Sequence, residues 1–167
     1  MTIKIGDHVP DASLAESTEF GDACPLPPAK VSVAEAIKGK RVVIFGLPGA
    51  FTPTCSAEHV PGYVNHLGDL KAKGIDEVWC VSVNDGFVMA AWGREEKATG
   101  KVRMLGDGSA EFAKKLGLDV DLTAHGMGVR MQRFSMLVDN GVVKQLNVEA
   151  PGKFEVSGAD TILKQLS

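Results

Sequence analysis

Val42-Val-Ile-Phe-Gly-Leu-Pro48-Gly-Ala-Phe-Thr52-Pro53-Thr-Cys55 is the stretch whose reading decides the fold. Its first half is rich in β-branched and aromatic residues, and its second half carries helix start signals. A strand passing through a tight turn into a helix is the building unit of an α/β domain. Thr52 fits the N-cap and Pro53 the first helical position, where a missing N–H costs nothing. Cys55 then falls at the third helical position, among backbone N–H groups with no partner inside the helix. The partial positive charge of a helix start favours a thiolate, and cysteines so placed reach pKa values of about 3.5 to 7.5, against an ordinary value of about 8.5. The flanking Thr52, Pro53, Thr54 and Ser56 predict a polar setting for this sulfur, whereas an isolated cysteine is more often a small apolar filler.

Outward from this stretch the same alternation continues. Strand-like runs at Arg41 to Leu47, Glu77 to Val83, Val102 to Leu105, Phe134 to Val138 and Val142 to Val148 are interleaved with helix-like segments. The helical segments are Val33 to Lys38, Thr54 to Lys73, Gly86 to Ala98, Ser109 to Leu116 and Ala159 to Gln165, with Asn84-Asp85 and Asp107-Gly-Ser109 as capping groups. Asn140-Gly141 between the last two runs is the preferred pair for a two-residue hairpin, which makes those strands antiparallel and the sheet mixed. Pro61, inside the helical pattern, removes the backbone bond to Ala57 and predicts a kink just past the cysteine. The Pro- and Gly-rich segment from Gly21 to Ala29 reads as a surface loop.

The 167 residues suit a single domain spanning 1–167. Eighteen Lys and Arg against 21 Asp and Glu leave a net charge of −3, with no block of like charge, which argues against a nucleic-acid partner. The longest apolar run is far short of the roughly 18 residues of a membrane helix, so no membrane association is expected. The N-terminus, Met1-Thr-Ile-Lys-Ile-Gly-Asp-His-Val-Pro10, shows neither a signal-peptide nor a transit-peptide pattern, and the expected location is cytoplasmic. Cys24, Cys55 and Cys80 are too few, and odd in number, for a disulfide scaffold. No phosphate-binding glycine loop occurs.

A helix start alone does not make a fast nucleophile. Lowering a thiol pKa from about 8.5 to about 5.5 raises its thiolate fraction at neutral pH by about 30-fold. The same drop lowers intrinsic nucleophilicity by a similar factor, because the Brønsted coefficient is about 0.4 to 0.5. Fast chemistry therefore needs donors that hold the transition state better than the ground state, meaning a cation and a hydroxyl beside the sulfur. Thr52 is the local hydroxyl, able either to cap the helix or to orient a substrate oxygen. His59, four residues after Cys55, invites a Cys–His pair.

Pro48-x-x-x-Thr52-x-x-Cys55 resembles the active-site signature of the peroxiredoxins, in the extended form of their type II subfamily. The likeness continues through His59-Val-Pro-Gly-Tyr63, Val81-Ser-Val-Asn-Asp85, Phe87-Val-Met-x-x-Trp92, Asp107-Gly-Ser109 and Arg133-Phe-Ser-Met136. It covers nearly the whole chain. The resemblance implies a thioredoxin-like α/β fold with a central mixed sheet, flanking helices and an N-terminal extension. It also implies a thiol peroxidase in which Cys55 attacks hydrogen peroxide or an organic hydroperoxide and becomes a sulfenic acid. Pro48 would shield the pocket, Thr52 hydrogen-bond the peroxide, Arg133 supply the cation and His59 play a supporting part. Arg130, three residues earlier, has the same chemistry, and the motif match selects Arg133.

Cys80 has 24 residues between it and Cys55, a separation at which plant-type members carry a second cysteine, so it is a possible resolving residue. Its strand-like setting works against a disulfide without local unfolding. Another branch resolves with a cysteine near the C-terminus, where this chain reads Lys153-Phe-Glu-Val-Ser157 and has none. The expected reductant is an external thiol, glutathione with glutaredoxin ahead of thioredoxin, and family likeness suggests a homodimer. No cofactor is expected, and a metal site on Cys55, His59 and His66 lacks a further ligand with supporting spacing. A dithiol oxidoreductase would need cysteine where Thr52 stands. The competing reading from another class is a redox-sensing binding module whose oxidised Cys55 switches a partner interface. The expected outcome that separates the cysteines is loss of peroxidase turnover in Cys55→Ser with turnover retained in Cys24→Ser; equal activity in the two variants refutes the assignment.

Overall fold

The computed structural model describes residues 1–166. Its strands are β1 (Ser13–Glu16), β2 (Ala29–Ser32), β3 (Arg41–Gly46), β4 (Glu77–Ser82), β5 (Arg103–Gly106), β6 (Asp119–Asp121), β7 (Val129–Met131), β8 (Phe134–Asp139) and β9 (Val142–Val148). The helices are α1 (Val33–Ile37), α2 (Val60–Asn65), α3 (Leu67–Ala72), α4 (Gly86–Glu95), α5 (Glu111–Leu116) and α6 (Ala159–Gln165). Seven strands form one sheet in the order β2-β1-β5-β4-β3-β8-β9, while β6 and β7 form a separate ribbon. β3, β4 and β5 are parallel, β1 and β8 run antiparallel to their neighbours β5 and β3, and the outer β2 and β9 pair antiparallel with β1 and β8. The sheet is therefore mixed, as the Asn-Gly turn requires. Asn140 (φ 47°) and Gly141 (φ 83°) take the left-handed conformations of a tight hairpin between β8 and β9.

Side-chain alternation along the central strands splits the core into two layers. Val42 and Ile44 of β3 face one layer with Trp79, Val81, Phe112 and Leu116. Val43 and Phe45 face the other with Cys80, Tyr63, Leu70, Met89, Trp92 and Ile162. Cys55 lies in this second layer and is completely buried, so it holds a core position, contrary to the expectation from its neighbours. The flanking Thr and Pro residues point elsewhere, because a helical residue's sequence neighbours occupy different faces.

The long helix predicted from Thr54 to Lys73 is interrupted twice. Pro53 and Thr54 lead into a π-turn over Cys55–His59, α2 continues from it, and His66 separates α2 from α3. The predicted irregularity at Pro61 is thus a widened turn just before the proline: the Val60 N–H reaches back five residues to the Cys55 carbonyl. Pro61 has no N–H to hold the ordinary register, and a local π-turn is the adjustment that keeps the helix going. Asp85 caps α4 as expected, whereas α5 opens at Glu111, two residues later than expected, with Ala110 in the N-cap place and Asp107 reaching its N–H groups from outside. The Asp85 carboxylate accepts from Val88 N, and Asp107 accepts from Phe112 N and Ala113 N.

The sequence reading did not find β1 and β2. Each has four residues, and the Pro-rich segment between them is tied back by Ser17 Oγ donating to the Leu26 carbonyl at 2.7 Å. They attach to the sheet through Ala15 paired with Gly106, a contact that no local pattern announces. β3 ends on Gly46, where a Cβ would lie 2.3 Å from the Phe134 ring and 2.5 Å from Met131 Sδ. Gly46→Ala is expected to lower stability by about 2 to 3 kcal/mol through overpacking, read as a shift in denaturation midpoint. An unchanged midpoint would show that Phe134 and Met131 yield freely.

Candidate active site

The turn between β3 and Cys55 is held from three directions. Arg130 donates to the Pro48 carbonyl at 3.0 Å and to the Met127 carbonyl at 2.9 Å. A Cβ on Gly49 would lie 2.6 Å from Arg130 Nη1, so only glycine lets that guanidinium pass. The Asn84 side-chain oxygen accepts from Ala50 N at 3.0 Å. Beyond the turn, Trp92 Nε1 donates to Ser56 Oγ at 3.0 Å and pins the helix beside the cysteine. The Val-Ser-Val-Asn-Asp and Phe-Val-Met-x-x-Trp segments therefore serve this loop from neighbouring elements.

Thr52 does not cap the helix with its side chain. Its hydroxyl donates to the Gly49 carbonyl at 2.7 Å, while its own carbonyl takes the Ser56 N–H at 3.0 Å. The hydroxyl closes the active-site turn on itself, and its oxygen keeps lone pairs for a further donor.

Arg133, immediately before β8, supplies the cation to Cys55. Nη2 donates to Cys55 Sγ at 3.2 Å, and Nη1 lies 2.9 Å from His59 Nδ1. Arginine only donates, so His59 Nδ1 is an acceptor and the imidazole proton sits on Nε2, from which it donates to the Ser157 carbonyl at 3.0 Å. His59 is fully buried. Burial, reinforced by the Arg133 charge, pushes its pKa down to about 3, which keeps it neutral. His59 is therefore an acceptor that orients the guanidinium, and it carries no charge to repel it. Tyr63 Oη donates to the same Ser157 carbonyl at 2.8 Å, and its ring stacks on Phe45 at 4.1 Å. The Arg133 guanidinium also lies over the Phe154 ring, 5.8 Å from its centroid.

A cavity of about 500 Å³ opens on this cluster, lined by Pro48, Arg133, Val120, Leu122, Pro151 and Phe154 among others. Thr52 and Cys55 do not line it; Pro48 and Arg133 are its points of contact with the site. His66 stays outside the cluster, on the surface beside Asp69. Cys80, in central β4, is buried, and burial above all, then the nearby Cys55, pushes its thiol pKa up. Cys24 is exposed in the β1–β2 connection. The sequence reading missed Ser157 and Glu149. Ser157 is 98 residues from His59 and contributes a backbone carbonyl, which no residue type advertises.

The fold is that of the thioredoxin-like redoxins: residues 4–163 match the family described as Redoxin. Among relatives, Peroxiredoxin-2B of Arabidopsis thaliana is 48% identical over 164 residues, covering 98% of each chain. Reduced Prx3 of Vibrio vulnificus in complex with hydrogen peroxide superposes with a TM-score of 0.90 at 48% identity, over 99% of this chain and 100% of that one. A Burkholderia cenocepacia crystal structure with a provisional thioredoxin reductase name superposes at 0.95 and 60% identity, over 100% of this chain and 99% of that one. The chain belongs to the type II peroxiredoxins and is a thiol peroxidase.

The His59 environment makes stability depend on pH. Its folded pKa lies below the unfolded value near 6.5, so the unfolded chain binds the proton first and stability falls as pH drops through that value. The loss from this group is on the order of 2 kcal/mol by pH 5, above the range where carboxylates titrate. Denaturation midpoints between pH 7 and 5 should fall in the natural protein and stay flatter in His59→Gln; parallel slopes would show that another group titrates.

Proposed function

We propose that Cys55 is the peroxidatic nucleophile, with Arg133 and Thr52 gripping the peroxide and Pro48 shielding the sulfur from bulk solvent. The observation that carries this reading is the Arg133 fork, one arm on Cys55 Sγ at 3.2 Å and the other on a neutral His59 at 2.9 Å. The Cys55 thiolate attacks the terminal oxygen of the hydroperoxide, the S–O bond forms as the O–O bond breaks, and the departing oxygen takes a proton to leave as water or an alcohol. Arg133 stabilises the charge that moves onto that oxygen, which is where a fixed donor lowers the barrier most. The peroxide complex of the Vibrio vulnificus relative supports the substrate class. The cavity beside Arg133, with Val120, Leu122, Pro151 and Phe154 among charged and polar residues in its lining, supports organic hydroperoxides alongside hydrogen peroxide.

The sulfenic acid is reduced by an external thiol, which forms a mixed disulfide and releases water; a second thiol then frees Cys55. Glutathione, with glutaredoxin to remove the mixed disulfide, ranks ahead of thioredoxin. A small thiol fits a cavity of about 500 Å³, whereas a folded dithiol protein would have to reach a wholly buried sulfur. Cys80 as an internal resolving residue is disfavoured by its burial in β4 and its raised pKa. Half-exposed Phe51 and Phe87 offer apolar surface for a homodimer. The reaction calls for a compartment that supplies reduced thiols, and the cytoplasm is the simplest.

The test is steady-state peroxide consumption by the purified protein with glutathione plus glutaredoxin, against thioredoxin plus its reductase. Faster turnover with the first pair, retained in Cys80→Ser, is expected, and Arg133→Ala should lower the rate by about 100- to 1,000-fold. Turnover supported by thioredoxin alone, or abolished in Cys80→Ser, overturns the assignment of the reductant.

A further inference from the structure

Glu149 is nearly buried, 7% exposed, yet no cation touches its carboxylate among the described residues. Its oxygens accept from Glu155 N at 2.9 Å, Val156 N at 2.8 Å, Ser157 N at 2.8 Å and Ser157 Oγ at 2.7 Å. Removing a carboxylate from water is costly, and here a run of N–H groups from one short loop replaces the water. Burial works to raise the Glu149 pKa, but the donors from Glu155, Ser157 and Val156 outweigh it and hold the carboxyl below its ordinary value.

Two connections lead from this clamp to the reacting sulfur. Phe134 pairs with Val148 across the β8–β9 ladder, and one residue further the Glu149 N–H donates to the Arg133 carbonyl at 3.0 Å. On the side-chain route, the clamp fixes Ser157, whose carbonyl accepts from His59 Nε2 and Tyr63 Oη. That carbonyl leaves His59 only the tautomer whose Nδ1 can accept from Arg133. The second arm of Arg133 is then directed at Cys55. Glu149 also folds the segment carrying Phe154, whose ring packs on His59 at a centroid distance of 4.9 Å.

We infer that Glu149 is a positioning residue for Cys55: by ordering the 155–157 loop it sets the His59 tautomer and thereby the aim of the Arg133 guanidinium. Glu149 touches neither the sulfur nor the peroxide. Its effect passes through one carbonyl, one imidazole and one guanidinium. The inference rests on the peroxidase reading for its consequence on rate, but the tautomer it assigns to His59 stands independently of turnover.

The experiment uses the full chain, labelled with 15N-histidine, as the natural protein, Glu149→Gln and Glu149→Ala. In the natural protein at neutral pH the His59 signals should show a neutral ring protonated on Nε2; a ring protonated on Nδ1, or a cation, overturns the inference without any variant. In Glu149→Ala, peroxide oxidation followed by stopped-flow tryptophan fluorescence should slow by about 10- to 100-fold, with loss of the single His59 tautomer. Glu149→Gln keeps the shape and part of the acceptor set, so it should lie between the two. A folded variant with the natural oxidation rate and the natural tautomer overturns the inference. Should Glu149→Ala fail to fold, the Gln variant and the natural protein's tautomer decide. Absence of peroxide turnover in the natural protein overturns the peroxidase reading alone.

Discussion

One guanidinium shared between a sulfur and a neutral imidazole is the constraint on which this site depends. Arg133 has no carboxylate within ion-pair distance among the described residues, so the group placed to receive its charge is Cys55. A carboxylate in the same place would take the guanidinium's donors, and a protonated histidine would repel it. Burial solves the second problem by keeping His59 uncharged, and the Ser157 carbonyl solves the orientation. Cys55 and His59 are fully buried, and burial strengthens each hydrogen bond they make and makes each missing one expensive.

The fold supplies this geometry from four separate places. β3 delivers the Pro48 turn, the π-turn carries Cys55 and His59, Arg133 stands at the entry to β8, and the loop after β9 brings Ser157. An ordinary α-helix already sets residues four apart on one face. Here the widened turn lies over the two side chains that meet Arg133, and π-turns concentrate at functional sites for this kind of re-aiming. Around it, Asn84, Trp92 and Arg130 fasten the loop from neighbouring elements, so the cysteine cannot drift from its donor.

The two remaining cysteines show how placement changes the chemistry of one residue type. Cys80 lies in the same core layer as Cys55, paired in register with Phe45, and is pushed toward its neutral form by burial. Cys24 is exposed on the loop that joins the short strands β1 and β2. Cys55 alone is both buried and supplied with a cationic donor.

The amino-acid sequence by itself determined the alternation of strands and helices, the antiparallel hairpin at Asn140-Gly141, the cap Asp85, and the candidacy of Cys55, Thr52 and Arg133. All of these arise from local periodicity, from turn and capping chemistry that acts within a few residues, or from motifs whose residue types are themselves informative. Only the tertiary structure decided that Cys55 is buried and that the Glu149 carboxylate binds the loop whose Ser157 carbonyl accepts from His59. Those outcomes depend on contacts between residues as much as 98 positions apart, and on a backbone carbonyl that every residue carries alike, so no local pattern could have revealed them.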